Sequence, residues 1–138
     1  MTDEKIINSL RQANLLMENN NYFIGVIIPS KGKQILFGSL SYFSKEFNGY
    51  IINQTESGIG IIPLSNVTGQ PMIDMAYFLP QNNIVNVSIK KGSLLFYKKI
   101  TITDINNQII SFNVQKKVLT VKKHKENLEK FLLKYNSL

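Results

Sequence analysis

One histidine, nine carboxylates and no cysteine are the whole stock from which this 138-residue chain could build a catalytic or metal centre. Without cysteine, disulfides, thiolate metal sites and cysteine nucleophiles are excluded. A histidine-based metal site would need Asp or Glu partners grouped around His124, and the sequence places none there. His124 falls at the edge of a helical apolar stripe, beside Lys122, Lys123 and Lys125. That position suits a packing or a solvent-edge role better than ligation or proton transfer. There is no H-E-x-x-H, no P-loop and no G-x-S-x-G nucleophile turn with a base beside it. Asp74 alone among the carboxylates sits in a semi-apolar surrounding, between Ile73 and Met75, where it reads as a turn cap or a solvent-facing group. Gly58-Ile-Gly60 lacks the third glycine of a dinucleotide fingerprint and leads into a strand, not a helix. The residues predict no catalytic site, no metal site and no cofactor.

Binding chemistry is better represented. Lys116, Lys117, Lys122, Lys123 and Lys125 form the densest basic cluster, interrupted by Val118, Leu119 and Val121. Three of these lysines lie at the start of a helix, where the dipole disfavours cations, so a bound anion would relieve local repulsion. Lys31 and Lys33 flank Gly32 in a surface turn and make a smaller basic pair. The formal charge of +7 invites a nucleic-acid or anionic-membrane partner. Yet there are fifteen Lys against one Arg, with abundant Ile and Asn, the pattern left by AT-rich codons. Arg, the residue of bidentate phosphate and guanine contacts, is nearly missing. The charge therefore reads first as composition and solubility.

The elements that must position these residues are clearest between Ile84 and Tyr135. Ile100, Ile102, Ile110, Phe112 and Val114 hold even positions, while Thr101, Thr103, Ser111, Asn113 and Gln115 hold odd ones, so one face packs and the other is wet. Asp104, Asn106 and Asn107 supply the turn of this hairpin. Val121, His124, Leu128, Phe131, Leu132 and Tyr135 then recur at spacings of three and four, predicting an amphipathic helix over 120–136. Glu126 and Lys130 make a favourable i,i+4 pair on its outer side. Val85, Val87 and Ile89 alternate with Asn86, Ser88 and Lys90 in the preceding strand, which turns at Lys91-Gly92-Ser93.

Upstream, Thr2 or Asp3 can cap a first helix over 1–20, whose stripe is Ile6, Leu10, Ala13 and Met17 and whose end is Asn19-Asn20-Asn21. It packs on the domain's own sheet or serves as a partner-binding or membrane-surface helix, the last disfavoured because only Lys5 and Arg11 are basic in it. Strands follow at Tyr22 to Ile28 and Gln34 to Phe43, separated by Pro29-Ser30-Lys31-Gly32-Lys33, with Gly25 and Gly38 marking bulges, bends or close backbone approaches. Gly49 to Thr55 and Ile59 to Leu64 form another hairpin, and Pro63 either ends its strand or lies at an edge. Met72 to Leu79 is predicted to be a short strand.

No repeat, linker or low-complexity tract divides the sequence, so a single domain over 1–138 is expected, with strands over 22–118. The acidic, polar start Met1-Thr-Asp-Glu-Lys does not resemble a signal peptide, and no window approaches the ~20 apolar residues of a membrane span. A soluble, cytoplasmic protein is the expectation.

In Tyr50-Ile-Ile-Asn-Gln-Thr-Glu-Ser-Gly-Ile-Gly-Ile-Ile, in Leu79-Pro80 followed by Ile84 and Val87, and in Lys90-Lys91-Gly92 leading to the last hairpin and helix, the chain resembles the bacterial pleckstrin-homology-like (PH-like) domains. The resemblance covers the last two thirds of the chain. It implies a mainly β, α+β fold: a bent antiparallel sheet or barrel of about seven strands capped by the C-terminal amphipathic helix, with an additional N-terminal helix. It also implies a non-enzymatic binding scaffold, and it places Lys31 and Lys33 in the loop where eukaryotic relatives hold phosphoinositide headgroups. The first expectation is a binding or assembly module whose partner is a protein or another copy of the chain, the latter through an exposed strand edge. The alternative is a polyanion, anionic lipid or nucleic acid, held by the lysines from Lys116 to Lys125.

Overall fold

Isoleucine decides the layers. In the computed structural model, which describes residues 1–27, 47–93 and 95–136, strand β2 (Phe47–Gln54) and strand β3 (Gly58–Ser65) carry buried isoleucines on both faces. Ile52, Ile59 and Ile61 join Tyr50 in one core, while Ile51 and Ile62 join a second. A strand buried on both faces reads as a continuous apolar run, and each face then needs its own cover.

Helix α1 (Asp3–Gln12) covers the second face with Ile6 and Leu10, helped by Leu15, which follows the helix. Thr2 caps it, its hydroxyl accepting from Lys5 N at 3.2 Å. The helix is shorter than the predicted 1–20 because Asn14 turns the chain at φ 58°. Leu15 and Leu16 both donate back to Leu10 O, so apolar side chains continue inward after helical geometry has ended. Met17, placed on the helical stripe by spacing, is exposed.

The other face belongs to the main core. Strands β1 (Asn21–Val26), β6 (Lys98–Asp104) and β7 (Ile109–Val114) contribute Phe23, Ile100, Ile102, Ile110, Phe112 and Val114, all fully buried. The register pairs Ile100 with Phe112 and Ile102 with Ile110, as the even-position alternation requires. On the opposite face, the hydroxyls of Thr101 and Ser111 meet at 3.0 Å. Asp104 builds the turn by accepting from Asn106 N and Gln108 N at 2.8 and 2.9 Å, and Asn107 adopts φ 59°.

The strand order is β4-β3-β2-β1-β7-β6-β5, all neighbours antiparallel, with β4 at Tyr77–Pro80 and β5 at Ile84–Lys91. Two meanders thus join through β1 and β7, and they share the single pair Val26 and Asn113. There the two halves of the sheet diverge, and helix α2 (His124–Tyr135) closes the opening with Leu128, Phe131 and Leu132. The result is an α+β fold: seven antiparallel strands among the described residues, with one helix before them and one after, the second of them capping the sheet. Gly25 marks a close approach, since a Cβ there would stand 2.6 Å from the Phe112 ring.

Several local expectations change. Met72 to Leu79 is a 3-10 turn, Ile73–Met75, before β4, not one strand. For Pro63 the edge alternative holds: β3 continues past it, and it pairs with Tyr50 beyond the reach of β4, where its missing N–H interrupts no ladder. Val85 leaves the inward alternation because the register slips between Ile84 and Asn86, and it is exposed. Helix α2 begins at His124, not near residue 120, because Val118 and Val121 form a tight bridge first. The predicted turn Pro29 to Lys33, the strand Gln34 to Phe43 and Gly38 lie outside the described residues.

Candidate binding surface

The diverging β1 and β7 leave backbone groups on β1 without a strand partner, and α2 supplies partners from its side chains. His124 Nδ1 accepts from Ile24 N at 3.2 Å, and its Nε2 donates to Gln115 O at 2.7 Å, which fixes the neutral Nε2–H tautomer. One turn on, Asn127 Nδ2 donates to Tyr22 O at 3.0 Å. The spacing of three between His124 and Asn127 matches the run of β1 from Ile24 to Tyr22. His124 is fully buried, with its ring edge-on to Phe23 at 6.2 Å. The sole histidine therefore joins elements; of the two expected roles it takes packing, in a buried position and not at the solvent edge.

The far end of α2 is fixed by a second polar network. Tyr135 OH donates to Gln54 Oε1 at 2.6 Å and accepts from Gln81 Nε2 at 3.0 Å. Gln54 Nε2 donates to Gln81 Oε1 and to the carbonyls of Thr55 and Gly58. Spacing could have flagged Asn127, a polar residue inside an apolar stripe. Nothing local in the sequence marks Gln54 or Gln81, since they are joined only by the fold.

All five lysines of the predicted cluster are exposed. Lys116 Nζ stands 5.4 Å from the centre of the Tyr97 ring, shared with Lys98 at 5.1 Å. Lys123 pairs with Glu126 at 3.9 Å, and Lys130 reaches the same carboxylate at 3.6 Å. Near the start of α2 the protein already places one carboxylate of its own. Asp3, from α1, accepts from Lys122 N at 2.6 Å, from Lys123 N at 3.0 Å and from Tyr22 OH at 2.8 Å. Lys31 and Lys33 lie outside the described residues.

Desolvation pushes the Asp3 carboxyl upward, but the bonds from Tyr22, Lys123 and Lys122 outweigh it and hold the pKa below its ordinary value. A depressed folded pKa contributes stability that is present above the unfolded value and lost as pH falls through the folded one. Asp3→Ala should therefore lower stability by about 1 kcal/mol near neutral pH, a figure kept small because solvent reaches the site. The difference from wild type should vanish once the pH falls well below 4, as melting curves across that range would show. A constant difference at every pH would mean that the carboxylate is not the clamp.

Among the concavities of the described residues, one is formed by a single segment and one by two packed elements. The surface around Pro71, Met72 and Asp74, about 530 Å³, is lined by one continuous segment, and Asp74 is its sole ionisable group. Among the described residues no three His, Cys, Asp or Glu side chains gather to hold a metal ion. The other concavity, about 210 Å³, is a groove between β5 and α2 walled by Ile89, Tyr97, Leu132 and Leu133, with Lys98 and Glu129 beside them. Leu133 is 76% exposed, an apolar side chain on the outer side of an otherwise charged helix face. Along the same wall β5 ends the strand order, with no further strand beyond it among the described residues.

No family model matches the chain, and no curated protein matches it. Among solved structures, the pleckstrin homology (PH) domain of USP37 is similar to it over 64% of this chain and 73% of that chain, with 18% sequence identity and a TM-score of 0.38. Among the described residues no helix is long and apolar enough to cross a membrane.

Proposed function

We propose that this chain is a non-enzymatic binding or assembly module, acting as one cytoplasmic domain over 1–138. In this reading its partner is a protein, a second copy in the first instance, that adds an extended strand along β5. The observation behind it is the groove beside β5, where exposed Leu133 stands next to Leu132, Tyr97 and Ile89. An unpaired strand edge offers main-chain hydrogen bonds to an incoming strand, and a flanking apolar groove offers side-chain pockets. The alternative, polyanion binding through Lys116, Lys117, Lys122, Lys123 and Lys125, has less behind it, since Asp3 already takes two of the backbone donors there.

Size-exclusion chromatography with light scattering tests the reading. The wild-type chain should associate as concentration rises, with slowed amide exchange along β5. Leu133→Glu should shift it to monomer without loss of thermal stability, because the side chain is mostly in water. A wild-type monomer at the highest reachable concentration would remove self-association.

A further inference from the structure

A third concavity, about 380 Å³, lies between the turn after α1, Tyr22 of β1 and the first half of α2. It shares no residue with the groove beside β5. Ile7, Leu16 and Tyr22 give it an apolar wall, and the polar groups around that wall are unevenly matched. Asn127 is 3% exposed, and its side chain makes one hydrogen bond, from Nδ2 to Tyr22 O at 3.0 Å. Its Oδ1 is therefore an acceptor with no donor among the described residues, a costly state for a buried amide. The neighbouring donors are engaged elsewhere: Asn20 Nδ2 by Met17 O at 2.7 Å, Asn19 Nδ2 by Glu56 Oε1 at 3.3 Å, and Tyr22 OH by Asp3 at 2.8 Å. Next to Asn20, Asn53 repeats the imbalance. Its Nδ2 donates to Asn20 Oδ1 at 3.0 Å and to Leu15 O at 3.3 Å, while its buried Oδ1 meets no donor among the described residues.

Charge follows the same pattern. The two cations of the cleft, Lys123 and Lys130, both turn to Glu126, at 3.9 and 3.6 Å. Glu18, contributed by the segment after α1, is exposed and has no ion pair among the described residues. The cleft thus holds acceptors in surplus, one uncommitted carboxylate and an apolar wall. An ammonium group presents three donors and no acceptor, and an alkyl stem brings methylenes to an apolar surface. We propose that the cleft binds a primary alkylammonium group, its N–H donors meeting Asn127 Oδ1 and the Glu18 carboxylate while its stem lies along Ile7, Leu16 and Tyr22. A free alkylamine and a lysine side chain of another protein present the same group, and a cleft of this size admits either. A carboxylate or phosphate fits less well. It would add acceptors to a wall that already has too many and find the nearby lysines held by Glu126.

Titration of the isotope-labelled full chain with n-butylammonium chloride at constant ionic strength, followed by amide NMR, tests it. Shifts should gather at the Asn127 side-chain amide and along residues 16–20, with a Kd on the order of 1 mM. Tetramethylammonium carries the same charge without an N–H and should bind about tenfold more weakly. Glu18→Gln should weaken butylammonium binding by about threefold to fivefold with the melting temperature unchanged, as suits an exposed ion pair. Glu4→Gln, an equal charge change on α1, should leave the affinity where it was, because salt screens distant charges. Asn127→Leu should abolish binding; where that variant fails to fold, Glu18→Gln and tetramethylammonium decide. Tighter binding of Nα-acetyl-lysine methylamide than of butylammonium would assign the site to a protein lysine, and the reverse order to a free amine. No shift at the cleft up to about 50 mM butylammonium would overturn the proposal. So would equal affinity for tetramethylammonium, or a Glu18→Gln variant that binds like wild type.

Discussion

Replacing His124 with alanine is expected to lower stability by about 3 kcal/mol, because it opens a cavity against Phe23 and leaves the Ile24 N–H buried without its acceptor. The bond to Gln115 O is lost as well, and with it the bridge between β1 and the residue after β7. Since β1 and β7 share one register pair, the loss falls where the sheet is least able to compensate. Acid should reproduce part of it. Burial holds the His124 pKa below the ordinary 6.5, against the upward pull of the Gln115 carbonyl, and only the neutral ring accepts from Ile24. The unfolded chain therefore protonates first. The stabilisation is complete above about pH 6.5 and is lost as pH falls through the lowered folded value. Chemical denaturation from pH 7.5 to 5 should show the wild type losing stability and the alanine variant staying nearly flat; parallel profiles would refute the assignment.

Gly58→Ala is expected to cost about 3 kcal/mol or more. Its φ of +150° lies in a region that L side chains rarely adopt, and a Cβ would stand 2.2 Å from Leu79 O. Relaxation is blocked on the other side. Gly58 O accepts from Thr55 N, Thr55 Oγ1 and Gln54 Nε2, and Gln54 in turn holds Gln81 and Tyr135. Strain at this turn therefore reaches the C-terminal end of α2. Gly69 is the matched control: its φ is +71°, but a Cβ there would meet nothing within 4 Å. Gly69→Ala should cost only about 1 kcal/mol. Equal melting temperatures for the two variants would mean that the contact with β4 is not what demands glycine at residue 58.

Local pattern carried the fold a long way. Alternation from Ile100 to Val114 set a register that the structure keeps, because a slip of one residue would expose every isoleucine on that face. Asp104 and Asn107 marked their turn through chemistry that acts within four residues. The final helix showed its buried face through spacing alone, apart from its first turn. Legibility failed where a choice depended on contacts across the chain. Val85 and Met17 both fit a local period, yet a bulge and a left-handed asparagine exclude them from the interior.

The candidate site divides the same way. Sequence by itself determined that the chain is lysine-rich, lacks thiol chemistry and carries one histidine near a helix start, because these are matters of composition and short-range spacing. Only tertiary structure decided what those residues do. Asp3 lies 119 residues from Lys122 and His124 lies 100 from Ile24, and no periodicity spans such separations. It took the divergence of β1 from β7 to create the unpaired backbone that His124 and Asn127 satisfy. It took the approach of α2 to the turn after α1 to set Glu18 and Asn127 around one cleft, although no local pattern links them.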